Sequence, residues 1–259
     1  MKIRSILFTL LMLVIAPNLA SAQIAVGNSC DQVGRHKEVC LQMRHLRSHI
    51  HTVDAQRDLL QVNYSLLKTL ATGVQSTVDK ISSHGDYADH TQGIETVKNL
   101  AIELETLATN NNPNALLTAN QLRFKCSTCH SVELPSSSYS WETVFKTSWD
   151  KIIDRCNEYG RNPYACKHMF GLFSATSYFF TAPDAQDFNY DTAHETAKEI
   201  NRISKQLQKL GEFHNGGNDA LREVELRSEE LMALASAKDP KLWQEGRQVT
   251  ISCSKCHGN

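Results

Sequence analysis

Two pentapeptides in this 259-residue chain carry the same chemistry: Cys126-Ser-Thr-Cys129-His130 and Cys253-Ser-Lys-Cys256-His257. Two thiols three residues apart, with an imidazole directly after the second, form the C-x-x-C-H pattern that attaches a c-type haem. On one helical turn the two sulfurs meet the two porphyrin edges, and the next residue projects toward the metal. Cys126, Cys129, Cys253 and Cys256 are therefore the expected thioether positions of two c-type haems, with His130 and His257 as proximal iron ligands. Other uses of paired cysteines fit less well. A thioredoxin-like dithiol opens a helix after a β-strand, and a zinc centre needs four ligands brought together. Both motifs here close helical stretches in a chain with almost no alternating β-type runs.

Four more cysteines stand at 30, 40, 156 and 166. Cys30-Asp-Gln-Val-Gly34-Arg35 leads on to Cys40 and Met43, and Cys156-Asn-Glu-Tyr-Gly160-Arg161 leads on to Cys166 and Met169. Both read C-x3-G-R-x4-C-x2-M, 126 residues apart. Met43 and Met169 are candidate distal iron ligands, since a thioether opposite histidine raises the reduction potential and suits electron transfer. The plainer role is a core methionine packed on an aromatic surface. Cys40 and Cys166 are the alternative ligands, as thiolates. Their plainer role is disulfides, Cys30 with Cys40 and Cys156 with Cys166, in an oxidising compartment. Arg35 and Arg161 are candidate partners of haem propionates, or else exposed helix-start charges. His36, His45, His49 and His51 crowd one stretch, yet the matching positions hold Asn162, Gly171, Ala175 and Ser177, and His168 matches Gln42. Without counterparts, these histidines are expected on the solvated side.

The elements that must position these groups are written twice. Val39, Met43, Leu46, Ile50 and Val53 make an apolar stripe at helical spacing, echoed by Ala165, Met169, Leu172, Thr176 and Phe179. A looser second stripe runs through Val62, Leu66, Leu70, Val74 and Ile81, and through Ala193, Ala197, Ile200, Leu207 and Leu210. Ile94, Val97, Ala101, Leu104 and Ala108 recur as Leu221, Val224, Ser228, Leu231 and Ala235, now 127 residues on. Ala115, Ala119, Leu122 and Cys126 recur as Leu242, Gly246, Val249 and Cys253. One apolar stripe per helix is what antiparallel bundles require. Gly85 and Gly211 precede the third stripes, and Pro113 and Pro240 open the fourth, where proline's missing N–H is harmless. The expected fold is all-α: two tandem four-helix bundles, each with a haem near the C-terminal end of its last helix.

The N-terminus reads as an export signal. Lys2 and Arg4 precede the apolar run Ile6 to Ala16, and Ala20-Ser21-Ala22 fits a cleavage site. The expected organisation is a signal peptide over 1–22, a first haem domain over 23–131, a linker over 132–140 and a second haem domain over 141–259. Within the last, Trp141 to Ile153 is expected to form an extra helix that docks the second bundle on the first. Cleavage after Ala22 leaves 25 basic and 28 acidic side chains in a periplasmic chain without a membrane span. That slightly acidic balance excludes the basic face that nucleic acid demands.

With the motifs late in each half and four helical stripes before them, residues 30–131 and 156–259 each resemble class II cytochromes c, the cytochrome c-prime group. That resemblance implies four-helix bundles in which His130 and His257 are proximal and the distal face comes from the start of the first helix. The tandem arrangement and the paired cysteines depart from the group's ordinary pattern. The implied function is electron transfer with redox partner proteins, the chain acting alone, as a homodimer or within a larger complex. A protein that binds nitric oxide or a similar gas, or a redox subunit of an enzyme complex, is the alternative.

Overall fold

The computed structural model describes residues 36–56, 59, 61–85, 91–131, 162–211, 213 and 217–255, with side chains in all of these but 127–131 and 253–255. Among the described residues the chain is all-α. It comprises α1 (Lys37–Ala55), α2 (Tyr64–Ser83), α3 (Thr91–Thr109), α4 (Ala115–Ser131), α5 (Pro163–Thr181), α6 (Tyr190–Leu210), α7 (Gly217–Ser236) and α8 (Leu242–Lys255). None of these helices is long and apolar enough to cross a membrane.

Local chemistry fixes the boundaries, and does so in pairs. Asn63 and Asn189 cap α2 and α6, each accepting a hydrogen bond from the backbone N–H three residues on, at Leu66 and Thr192. Asn162 caps α5 through the N–H of Tyr164, with Pro163 in the first turn. After α2 and α6 the chain turns through Gly85 and Gly211, whose φ of 69° and 66° is the left-handed conformation that ends helices.

Each helix of the first four packs on the next, and α4 returns to α1; α5 to α8 do the same. Two separate cores result. Val39, Leu46, Ile50 and Val53 meet Leu66, Leu70, Val97, Leu104 and Leu122 in one, and Leu172, Phe179, Ile200, Leu207, Leu231 and Val249 meet in the other. The expected stripes of the first, third and fourth helices line these cores. So do the second stripes, Val62 to Ile81 and Ala193 to Leu210, with a further buried face beside them. Residues buried at matching places in α2 and α6 are Leu67 and Ala193, Ala71 and Ala197, Val74 and Ile200, and Ile81 and Leu207, at the same offset of 126 as elsewhere. The pattern looked loose because these helices bury two faces, one on their own core and one on the other half.

That second face belongs to a junction in which α1 packs on α5 and α2 on α6. Going up α1, Gln42 bonds the carbonyl of Ala185 at 2.7 Å, Ser48 the hydroxyl of Ser177 at 2.8 Å and Thr52 the carbonyl of Ser174 at 2.9 Å. The partners descend as α1 ascends, so α1 and α5 are antiparallel. The expected linker and the helix over Trp141 to Ile153 lie outside the described residues, as does the signal sequence.

Candidate functional site

The first C-x-x-C-H motif lies in the last turns of α4. Cys126 is half-buried, packs against the first core, and is a thiol rather than half of a disulfide. Cys129 and His130 share this helical backbone, three and four residues on, so the three positions fall on one face. In the second half, Cys253 lies in α8, whereas Cys256 and His257 lie outside the described residues. Cys30, Arg35, Cys156 and Arg161 also lie outside them.

Met43 and Met169 are each partly buried against the core of their own half. Met43 thus packs on the same cluster as Cys126, at the end of α1 that faces the end of α4. In the second half Thr250 donates to the carbonyl of Thr176, and Gly246 sits against Phe179, so α8 also descends toward the start of α5. Cys40 and Cys166 are each disulfide-bonded. They cannot be bonded to each other. The antiparallel register puts Cys40 beside the far end of α5, more than about 20 Å from Cys166 at 1.5 Å per residue, far beyond disulfide reach.

The histidines overturn the expectation of solvation. His36 is exposed, but His45, His49 and His168 are buried, and His51 is half-buried. Burial, with Arg47 and Arg123 nearby, pushes the His51 imidazole down to about 3. His168 donates its Nδ1–H to the carbonyl of Tyr164 at 2.7 Å. The reason is the junction. Gln42, His45, His49, Thr52 and Gln56 step by 3, 4, 3 and 4 along α1, and this polar stripe is the face laid on the second half.

At its upper end, Gln56 and Asn63 donate to the carboxylate of Glu199, which also receives Arg202; Glu199 is buried and fully engaged. At the lower end, His45 Nε2 lies 2.7 Å from Asp187 Oδ2 and 2.9 Å from His49 Nε2. His49 Nε2 lies 3.6 Å from the same carboxylate oxygen. Burial lowers the His45 imidazole to about 4, His49 adding to the effect and Asp187 opposing it. Burial also raises the Asp187 carboxyl, but hydrogen bonds from the two histidines outweigh it and hold the group below the usual carboxylate range. Tyr178, in ring contact with both histidines, is driven well above 10 by burial and by Asp187, and its phenol donates to the carbonyl of Asn189. Asp187 was missed in the sequence because nothing local connects it to residues more than 130 positions away.

No family model, curated protein or solved structure matches this chain.

Proposed function

We propose that the chain is an exported dihaem c-type cytochrome that carries electrons. The observation that supports this best is that the first C-x-x-C-H motif lies in the closing turns of α4, while the second begins at Cys253 in the closing turn of the equivalent helix α8. The fit to haem rests on α4: a half-buried thiol at Cys126 borders an apolar core, and the helix carries Cys129 and His130 on the same face. Cys126 and Cys129 would anchor one haem, Cys253 and Cys256 the other, and His130 and His257 would bind iron. The group supplies reversible one-electron chemistry, with a potential set by the axial ligands and by burial. Met43 and Met169 would offer thioethers from the opposing helix, and the surrounding leucines and valines would exclude water.

The antiparallel junction supports independent centres. Met43 and Met169 stand some 20 Å apart along it, at about 1.5 Å of rise per residue. The haem-bearing ends would therefore face opposite poles, and one molecule would hold two electrons or serve two partners.

Expression with a c-type maturation system tests the reading. The expected product has two haems and two irons per chain, with low-spin spectra in both oxidation states that carbon monoxide leaves unmoved. A chain without covalent haem would end the proposal, and a high-spin spectrum shifted by carbon monoxide would replace the carrier by a gas-binding protein. Replacing Met43 or Met169 by alanine should each alter the spectrum of one haem; unchanged spectra in both remove methionine as ligand.

A further inference from the structure

We propose that His45, His49 and Asp187 form a site for one divalent transition-metal ion of the zinc class, joining the first half of the chain to the second. The inference does not rest on the haem reading, since none of the three residues belongs to a C-x-x-C-H motif. Three ligand atoms, two imidazole Nε2 and one carboxylate Oδ2, converge with separations of 2.7, 2.9 and 3.6 Å. Ligands about 2.05 Å from a tetrahedral zinc stand about 3.3 Å apart, so movements of a few tenths of an ångström would seat the ion.

The hydrogen-bond geometry leaves His45 Nε2 facing Asp187, as a metal ligand would. The Thr181 hydroxyl donates to the backbone carbonyl of Ser177 at 3.0 Å, or to that of Tyr178 at 3.3 Å. Its oxygen is then the acceptor for a proton on His45 Nδ1, at 2.9 Å. The other ring nitrogen, Nε2, then faces a carboxylate oxygen 2.7 Å away. That approach needs a cation between the two atoms, either the proton of the hydrogen bond described above or a metal ion that displaces it. A metal-bound histidine characteristically donates its other ring N–H to a protein oxygen, the arrangement Thr181 provides.

The surroundings are shaped for the pair. A Cβ added at Gly73 of α2 would stand 2.5 Å from Cε1 of His49, so only glycine lets that ring occupy its place. Both histidines are fully buried, while the Asp187 side chain keeps 20 % exposure, which leaves an entry from solvent. A cleft of about 450 Å³ is lined by Asp184, Ala185 and Gln186, which precede Asp187 in the chain, and by Glu38 and His84. Two imidazoles and one carboxylate suit zinc or its transition-metal neighbours, whereas calcium and magnesium take oxygen ligands. Three protein ligands leave a fourth position for water. A second group, His36, Glu38 and His84, is exposed and serves as a control.

The haem-loaded full chain, stripped with a chelator and dialysed against zinc, should retain one zinc per chain beside its iron. D187N and H49Q should each weaken retention by at least about tenfold, and E38Q/H84Q should not. Anomalous diffraction at the zinc edge from wild-type crystals decides the position even if a variant fails to fold. A peak between His45, His49 and Asp187 upholds the site. No stoichiometric zinc in the wild type, a peak elsewhere, or loss of zinc only in E38Q/H84Q overturns it.

Discussion

The chemistry of the junction turns on single atoms. Gly73 has the close approach to His49 that no other residue permits. Substituting alanine there forces the imidazole off Nε2 of His45, and the expected cost is about 1–3 kcal/mol of stability, read from urea unfolding. Unchanged stability in G73A would mean that the His49 ring is not held as described. Glu199 sets a similar test at the other end. It is buried and takes hydrogen bonds from Gln56, Asn63 and Arg202. E199A leaves the Arg202 guanidinium and two amides without their acceptor, and should destabilise by about 3–5 kcal/mol. A loss within about 0.5 kcal/mol, the scale of an ordinary surface change, would refute that role.

At the scale of elements, the two halves share a layout and differ in how they fill it. Phe179 of α5 touches Gly246 of α8, where an added Cβ would stand 2.5 Å from the ring. The corresponding positions in the first half hold Val53 and Ala119, a smaller side chain facing a larger one. G246A alone should cost about 1–3 kcal/mol by overpacking. Adding F179V should recover part of that loss, a coupling measured by a double-mutant cycle; strict additivity would contradict the contact. Much of this level was legible in the sequence, because apolar periodicity reports the core-facing stripe directly. Val97, Ala101, Leu104 and Ala108 and their counterparts are buried as their spacing predicts. What escaped was the second buried face. Gln42, His45, His49, Thr52 and Gln56 have the same helical spacing, but a polar stripe ordinarily faces water, and only contacts across more than 120 residues turn it inward. Asp187 escaped for the same reason, and the reading of the C-x-x-C-H motifs rests on their sequence chemistry.

For the molecule as a whole, the antiparallel junction separates the two motif-bearing ends. On the proposed dihaem reading, replacing Cys126 and Cys129 by serine should therefore remove one haem and leave the spectrum and potential of the other unchanged. A shift of the remaining potential would show that the two centres communicate across the junction.

The junction is also asymmetric. Had two identical chains met through this face, every residue would occur at both ends of the symmetry axis, and His49 would face Gly73 twice. Here the counterpart of His49 is Ala175 and that of Gly73 is Glu199. Within one covalent chain the two halves are free of that constraint. One end holds two histidines and an aspartate and the other an internal ion pair, a division of labour that no symmetric homodimer can encode.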